Sequence, residues 1–182
     1  MLNAQQVIDA IHGSYQTGSK NGHRNVQALL EHMGVTMKTP MIHVAGTNGK
    51  GSTCAMLASV LKAAGYRVGL YTSPFLQHYQ ERIRLNSVPL TDELLVKYGN
   101  PLVEAAEALR ARGACATPFE MGTALALAAF DGENCDFAVI EVGMGGRLDP
   151  TNLIHPVACA IAAIGLFHMG FLGDTLEEIA GE

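Results

Sequence analysis

The stretch from Met41 to Thr53, MIHVAGTNGKGST, constrains the fold more than any other part of the chain. An apolar run of strand length, Met41 to Ala45, passes directly into a loop rich in glycine. An apolar-faced helical pattern then runs from Lys50 to Ala64 and stops at Gly65. Such a passage is the first half of a βαβ unit, and Arg67 to Tyr71 supplies the second strand. The common spelling of a phosphate-binding loop, G-x-x-x-x-G-K-[ST], places glycine at position 44 and a hydroxyl residue directly after the lysine. Val44 and Gly51 stand there instead. The chemistry is nevertheless present across Gly46, Thr47, Asn48, Gly49, Lys50, Gly51, Ser52 and Thr53. Glycines let the backbone approach an anion, the helix start presents free amides, Lys50 brings a compact charge to phosphates, and Ser52 or Thr53 can place a hydroxyl on Mg²⁺. The plainer alternative is a glycine-rich turn that caps a helix.

The remainder reads as repeated strand, loop and helix after a helical preface, the pattern of a wound, mostly parallel α/β sheet flanked by helices. Short helices are expected near Ala4 to Ile11 and Val26 to His32, joined by a polar, mobile segment from Gly13 to Asn25. ERIRLN alternates as an extended segment, Thr91 caps a helix with acids in its first turn, and Asn100-Pro101 is expected to divide that region into separate helices. Thr117-Pro118-Phe119-Glu120 spells a capping box before a long Ala/Leu helix ending near Phe130. CDFAVIEVG reads as a buried strand, and VACAIAAIG (Val157 to Gly165) as a central parallel strand covered on both faces. Asp174-x-x-Glu177 begins a last helix, which the sequence leaves without a cap, so the domain is expected to be truncated there.

At 182 residues and 48% hydrophobic content, one substantial core is expected and two well-developed α/β domains are not. A net charge of -5, with basic residues scattered singly, provides no field for a nucleic-acid backbone. No apolar run reaches membrane-spanning length, and the amino terminus lacks the pattern of a signal peptide. Cys54, Cys115, Cys135 and Cys159 show no paired spacing and read as buried free thiols in a reducing cytoplasm.

Ligands of parallel sheets gather beyond the carboxyl ends of the strands, here the loops GTNGKGS, TSPF, GMGGRLDPTN and FHMG. Glu141 ends an otherwise apolar strand, where a buried carboxylate requires a cation or hydrogen bonds. It is therefore a candidate metal ligand or water-orienting base, the alternative being an ion pair with Arg147. His168 follows another strand end, although a lone histidine between Phe and Met is more often a packed residue. Thr117 and Glu120 have a structural role already in the capping box, and Asp149 and Asn152 belong to strong turn chemistry.

HVAGTNGKGST, YTSPF followed by ERIRLN, the TPFE helix start and VIEVGMGGRLDPTN together resemble folylpolyglutamate synthase and dihydrofolate synthase, members of the Mur ligase superfamily, in order and approximate spacing over essentially the whole chain. The resemblance makes GTNGKGS that superfamily's own phosphate loop. It implies an ATP-dependent carbon-nitrogen ligase that phosphorylates the carboxylate of dihydropteroate or a folate and joins it to L-glutamate, using ATP and a pair of Mg²⁺ ions. By the same resemblance Lys50 and the loop amides meet phosphates. Ser52 and Glu141 hold one Mg²⁺, and Ser73, Glu141 and His168 the other, so that Lys50, Glu141 and His168 carry the chemistry. Thr117, Phe119, Asp149 and Pro150 contact the pterin or pteroate. The full-length family is expected to act as a cytoplasmic monomer.

The chain departs from the family in three ways. Phe167 precedes His168 where the family usually has Asp, a lysine that the family carbamylates is expected just beyond Glu182, and the family's remaining sheet strands, adenine-contacting segment and carboxyl-terminal domain are not expected within these residues; a small side chain is also usual where Pro150 stands. Residues 1–182 then correspond to the ATP-binding domain alone, without the carboxyl-terminal glutamate-ligase domain, and little ligase activity is expected of them. A peptidoglycan-building Mur ligase and a non-catalytic nucleotide-binding module are the competing readings.

Overall fold

The computed structural model describes residues 1–14 and 23–182. Most of the segment expected to be mobile, residues 15–22, lies outside them. Six strands form one sheet in the order β4-β3-β2-β5-β1-β6: β1 (Met41–Ala45), β2 (Val68–Tyr71), β3 (Ile83–Leu85), β4 (Val88–Pro89), β5 (Phe137–Glu141) and β6 (Ala158–Ile161). The strands β2, β5, β1 and β6 run parallel, while β3 and β4 complete the far side as an antiparallel hairpin. The expected mostly parallel α/β architecture is therefore the observed one. Because β1 lies between β5 and β6, with Val44 opposite both Glu141 and Ala160, the loop after β1 opens between the ends of its two neighbours.

The helices divide unequally between the faces. α1 (Ala4–His12), α2 (Arg24–His32), α4 (Asp92–Ala111) and α5 (Pro118–Gly132) share the larger core with the sheet, whereas α3 (Lys50–Ala63) covers the other face through Cys54 and Ala58 against Val44, Val68, Leu70 and Val139. α5 is buried from Glu120 to Phe130, since it lies between the sheet and α2 and α4. Its small residues permit that close packing, and on the sheet side a Cβ at Gly69 would come within 2.5 Å of the Phe130 ring. The capping box forms as expected: Thr117 Oγ1 accepts the Glu120 amide at 3.2 Å, and the Glu120 carboxylate accepts the Thr117 amide at 2.6 Å.

Several local expectations are corrected. Pro101 lies inside a single continuous α4. The turn it weakens is held from the side: Asn100 Nδ2 donates to the carbonyls of Val96 and Leu2, Asn100 Oδ1 accepts the Leu2 amide, and Leu95, Gly99, Leu102 and Ala105 remain buried. Of the apolar run at Val157 to Gly165, Ala158–Ile161 forms a strand at the edge of the described sheet, with Val157 and Ile161 exposed. A continuous apolar run looks the same at the edge as at the centre, because periodicity carries no information about lateral neighbours. The cysteines follow: Cys54 and Cys135 are buried free thiols, but Cys115 is half-buried and Cys159, on β6, is exposed. ERIRLN is extended only from Ile83, after a 3-10 turn at Tyr79–Arg82. Two short helices close the chain, α6 (Met169–Leu172) and α7 (Leu176–Gly181). The cap of α7 is Thr175 with Glu178, one residue later than expected. No helix among the described residues is long and apolar enough to cross a membrane.

Candidate functional site at the carboxyl ends of the parallel strands

The loops after all four parallel strands meet around one cavity of about 230 Å³, lined by Gly46, Thr47, Asn48 and Lys50 after β1, Ser73 and Pro74 after β2, Gly143 to Gly145 after β5, and Phe167, His168 and Leu172 after β6. Its first wall is the loop Gly46 to Gly49. Gly49 adopts φ 83°, a left-handed turn that tips the chain into α3, and a Cβ at Gly46 would press on the Ala162 backbone at 3.1 Å. The amides of Thr47 and Asn48 donate to the Ala163 carbonyl at 2.8 and 3.2 Å, and the Thr47 hydroxyl bonds both backbone groups of Gly165. The second half of the VACAIAAIG run thus turns back to anchor the loop.

These two amides shape the loop. The amides at the start of α3, Gly49 to Ser52, are orphans among the described residues, since the first helical bond runs from the Thr53 amide to the Gly49 carbonyl and no side chain caps the turn; of these residues Lys50 lines the cavity. Lys50 Nζ donates to the Thr47 carbonyl at 3.2 Å, which holds the ammonium over the loop. Four orphan N–H groups, the helix dipole and a lysine form an anion-binding mouth.

Glu141 closes the site from β5. It is 5% exposed, and a Cβ at Gly51 would lie 3.6 Å from Oε2, so its carboxylate rests against the first turn of α3. Oε2 accepts the Ser73 amide at 2.9 Å, which ties the ends of β5 and β2 together. Arg147 does not pair with Glu141; it reaches Glu182 at 3.7 Å. Burial pushes the Glu141 carboxyl above the usual range, opposed by the Ser73 amide and by the charges of Lys50 and Arg82. The same burial pushes the neighbouring Cys54 thiol up to about 12, further raised by Glu141, so it is inert packing. His168 begins α6 with φ 53°, exposed, with the Phe167 ring edge-on at 4.9 Å.

The residues assigned to the pterin side fall on one adjoining corner. A Cβ on Gly143 would lie 2.6 Å from the Phe119 ring and 2.9 Å from Asp149 Oδ2, so the three meet. Thr117 caps the same helix, and Pro150 starts the 3-10 turn Pro150–Leu153. Asp149 Oδ2 accepts the amides of Gly143 and Met144, both at 3.0 Å, while Oδ1 accepts the amide of Thr151 at 2.9 Å and its hydroxyl at 2.5 Å. These donors match the lone-pair capacity of a carboxylate. His43 Nε2 lies 2.8 Å from Thr151 Oγ1. Because that hydroxyl gives its proton to Asp149, Nε2 is the protonated nitrogen of His43.

Residues 44–182 match the model of the Mur ligase middle domain. The chain belongs to the Mur ligase middle-domain family. Within the Mur ligases it is 43% identical over 183 aligned residues to the dihydrofolate synthase/folylpolyglutamate synthase of Bacillus subtilis (strain 168), covering 98% of this chain and 42% of the relative. A solved FPGS-AMPPCP-folate complex superimposes with a TM-score of 0.92 at 39% identity, over 98% of this chain and 44% of that one. E. coli FolC in complex with DHPP and ADP does so at 0.86 and 33%, over 98% and 42%. This Mur ligase chain therefore spans less than half the length of the relatives it matches.

Arg82, Tyr79 and Glu81 were not singled out from the sequence. The Arg82 carbonyl accepts the Thr72 amide just past β2, Tyr79 is buried in the turn before it, and Glu81 accepts the amides of Leu76, Gln77 and His78 to fold the loop between. ERIRLN carried the signal, but the alternation of an extended strand concealed the 3-10 turn that redirects Arg82.

Proposed function

We propose that this chain carries the nucleotide-binding part of an ATP-dependent amide ligase that adds L-glutamate to dihydropteroate, to folates, or to both. The observation that carries the reading is the cavity lined by the loops of all four parallel strands, with Lys50 on its wall and the buried Glu141 carboxylate against the adjoining first turn of α3. ATP-analogue, ADP, folate and DHPP complexes among the solved relatives support it.

In this reading Lys50 and the amides from Gly49 to Ser52 neutralise and align the phosphates of ATP. Ser52 and Glu141 would hold one Mg²⁺, and Ser73, Glu141 and His168 a second. The donor set, one carboxylate, one imidazole and two serine hydroxyls, suits Mg²⁺, an ion that shares its shell with water and phosphate oxygens. Bound there, Mg²⁺ supplies charge neutralisation at the transferring phosphoryl group. A carboxylate oxygen of the acceptor attacks the γ-phosphorus, the bond to ADP breaks, and an acyl phosphate forms. The amine of L-glutamate then attacks the acyl carbon, loses a proton, and expels phosphate. Thr117, Phe119 and Pro150 frame the pterin corner, and Asp149 shapes it through the loop amides. The 182-residue chain alone is expected to bind nucleotide with little turnover, because Phe167 and His168 leave the cavity open to water.

The test is an ATP-, Mg²⁺- and glutamate-dependent ligation assay with dihydropteroate and tetrahydrofolate on a protein extended to the relatives' length. Glutamylated product is the expected result, and the preferred acceptor assigns the subfamily. Nucleotide binding without product for either acceptor would favour a non-catalytic module.

A further inference from the structure

The walls of the cavity differ in chemistry. Lys50 and Ser73 bring a charge and a hydroxyl from the chain after β1 and β2, whereas the chain after β6 contributes Phe167, His168 and Leu172, and Met144 lines the same space. Phe167 is 60% exposed, so the β6 side ends in an apolar rim open to solvent. His168 stands in that rim with φ 53°, and its ring meets the Phe167 ring edge to face, with 4.9 Å between centroids and 85° between planes. Among the described residues no carboxylate forms an ion pair with the imidazole.

An imidazole is a better cation ligand when its second nitrogen donates to a carboxylate or a carbonyl, and an aromatic ring supplies neither. The carboxylate left to a cation at His168 is Glu141, which the other cation place shares and whose Oε2 already accepts the Ser73 amide at 2.9 Å. Lys50 adds a like charge to the same cavity. Two divalent ions beside one carboxylate and a lysine are left with charge that only the phosphates of a nucleotide can offset.

We infer that the two cation places of this chain are unequal and that Phe167 sets the inequality. The place at Ser52 and Glu141 fills together with the nucleotide, and the place at Ser73, Glu141 and His168 fills only at higher metal concentration. The inference rests on the ligase reading, which supplies both places. Phe167 is a positioning residue in it: the ring holds the imidazole by an apolar contact and keeps an oxygen donor out of the rim. Because its side chain is largely exposed, it can be exchanged for a carboxylate without opening the core.

The experiment counts Mn²⁺, a paramagnetic stand-in for Mg²⁺, by electron paramagnetic resonance during titration of the chain with one equivalent of AMPPCP. The wild type is expected to bind one ion tightly and a second at least about tenfold more weakly. Phe167→Asp should tighten the second ion at least about tenfold, Phe167→Ala should not, and adding His168→Ala to Phe167→Asp should cancel the gain. Two equally tight ions in the wild type overturn the inference and leave the ligase reading intact. So does a second ion that Phe167→Asp fails to tighten, or a gain that persists without His168. AMPPCP bound by the folded wild type with no Mn²⁺ held beyond that of the free nucleotide overturns the cation places of the ligase reading and this inference together.

Discussion

Two buried carboxylates stand at either end of the same short loop and are used in opposite ways. Asp149, 4% exposed, accepts from two loop amides and from both donors of Thr151, and the loop after β5 takes its shape from that clasp. Glu141, 5% exposed, accepts from the Ser73 amide and faces the open mouth of α3. Equal burial therefore does not mean equal duty. A carboxylate whose lone pairs are filled by local donors stabilises the fold. One that is desolvated and accepts the Ser73 amide, beside a lysine, is where the proposed cation would be held. The contrast extends to the faces of the sheet: four helices pack one face, and α3 alone covers the other.

Replacing each carboxylate separates the roles. Asp149→Ala is expected to have the largest effect on stability, about 3 kcal/mol in urea unfolding, because it strands two loop amides and the Thr151 pair. A loss below about 0.5 kcal/mol would break the comparison. Glu141→Gln should go the other way, melting at the same temperature or higher in EDTA, while the Mg²⁺-dependent part of ATP affinity falls at least about tenfold in calorimetric titration. Lys50→Met is expected to weaken ATP about tenfold or more without changing the melting temperature, since Lys50 donates only to a loop carbonyl.

The smallest effect concerns pH. Burial lowers the pKa of His43, with Asp149 opposing. The unfolded chain therefore binds the proton more readily, so the stability from neutral His43 is complete above about 6.5 and is lost as pH falls toward the lowered folded value. Relative to His43→Gln, the wild type should lose stability between about pH 7.5 and pH 5.5 in thermal melts. An unchanged difference would remove His43 from the Asp149 clasp.

What could be read in the sequence was local. The passage from β1 through its loop into α3, the Thr117–Glu120 box and the DPTN turn are each set by neighbours within a few residues, and each formed as written. Lateral facts were not legible. Whether VACAIAAIG lies at the centre or edge depends on strands elsewhere, and the continuity of α4 through Pro101 depends on Asn100 reaching Leu2 from the other end of the sequence interval. Lys50, Ser73, Glu141 and His168 were legible as strand-end residues because parallel topology gathers such ends. Lys50, Ser73 and His168 do line one cavity, and Glu141 lies against its α3 wall. The filled state of Asp149 needed coordinates, since hydrogen-bond satisfaction is a property of the packed molecule.

The most direct test of the central claim is calorimetric titration of the 182-residue chain with ATP, in Mg²⁺ and in EDTA, for the wild type and Glu141→Gln. The account predicts that the wild type binds ATP more tightly with Mg²⁺ and that Glu141→Gln removes this Mg²⁺ advantage while keeping the weaker, metal-independent binding of the α3 mouth. An equal Mg²⁺ advantage in both proteins, or no ATP binding by the folded wild type, would contradict it.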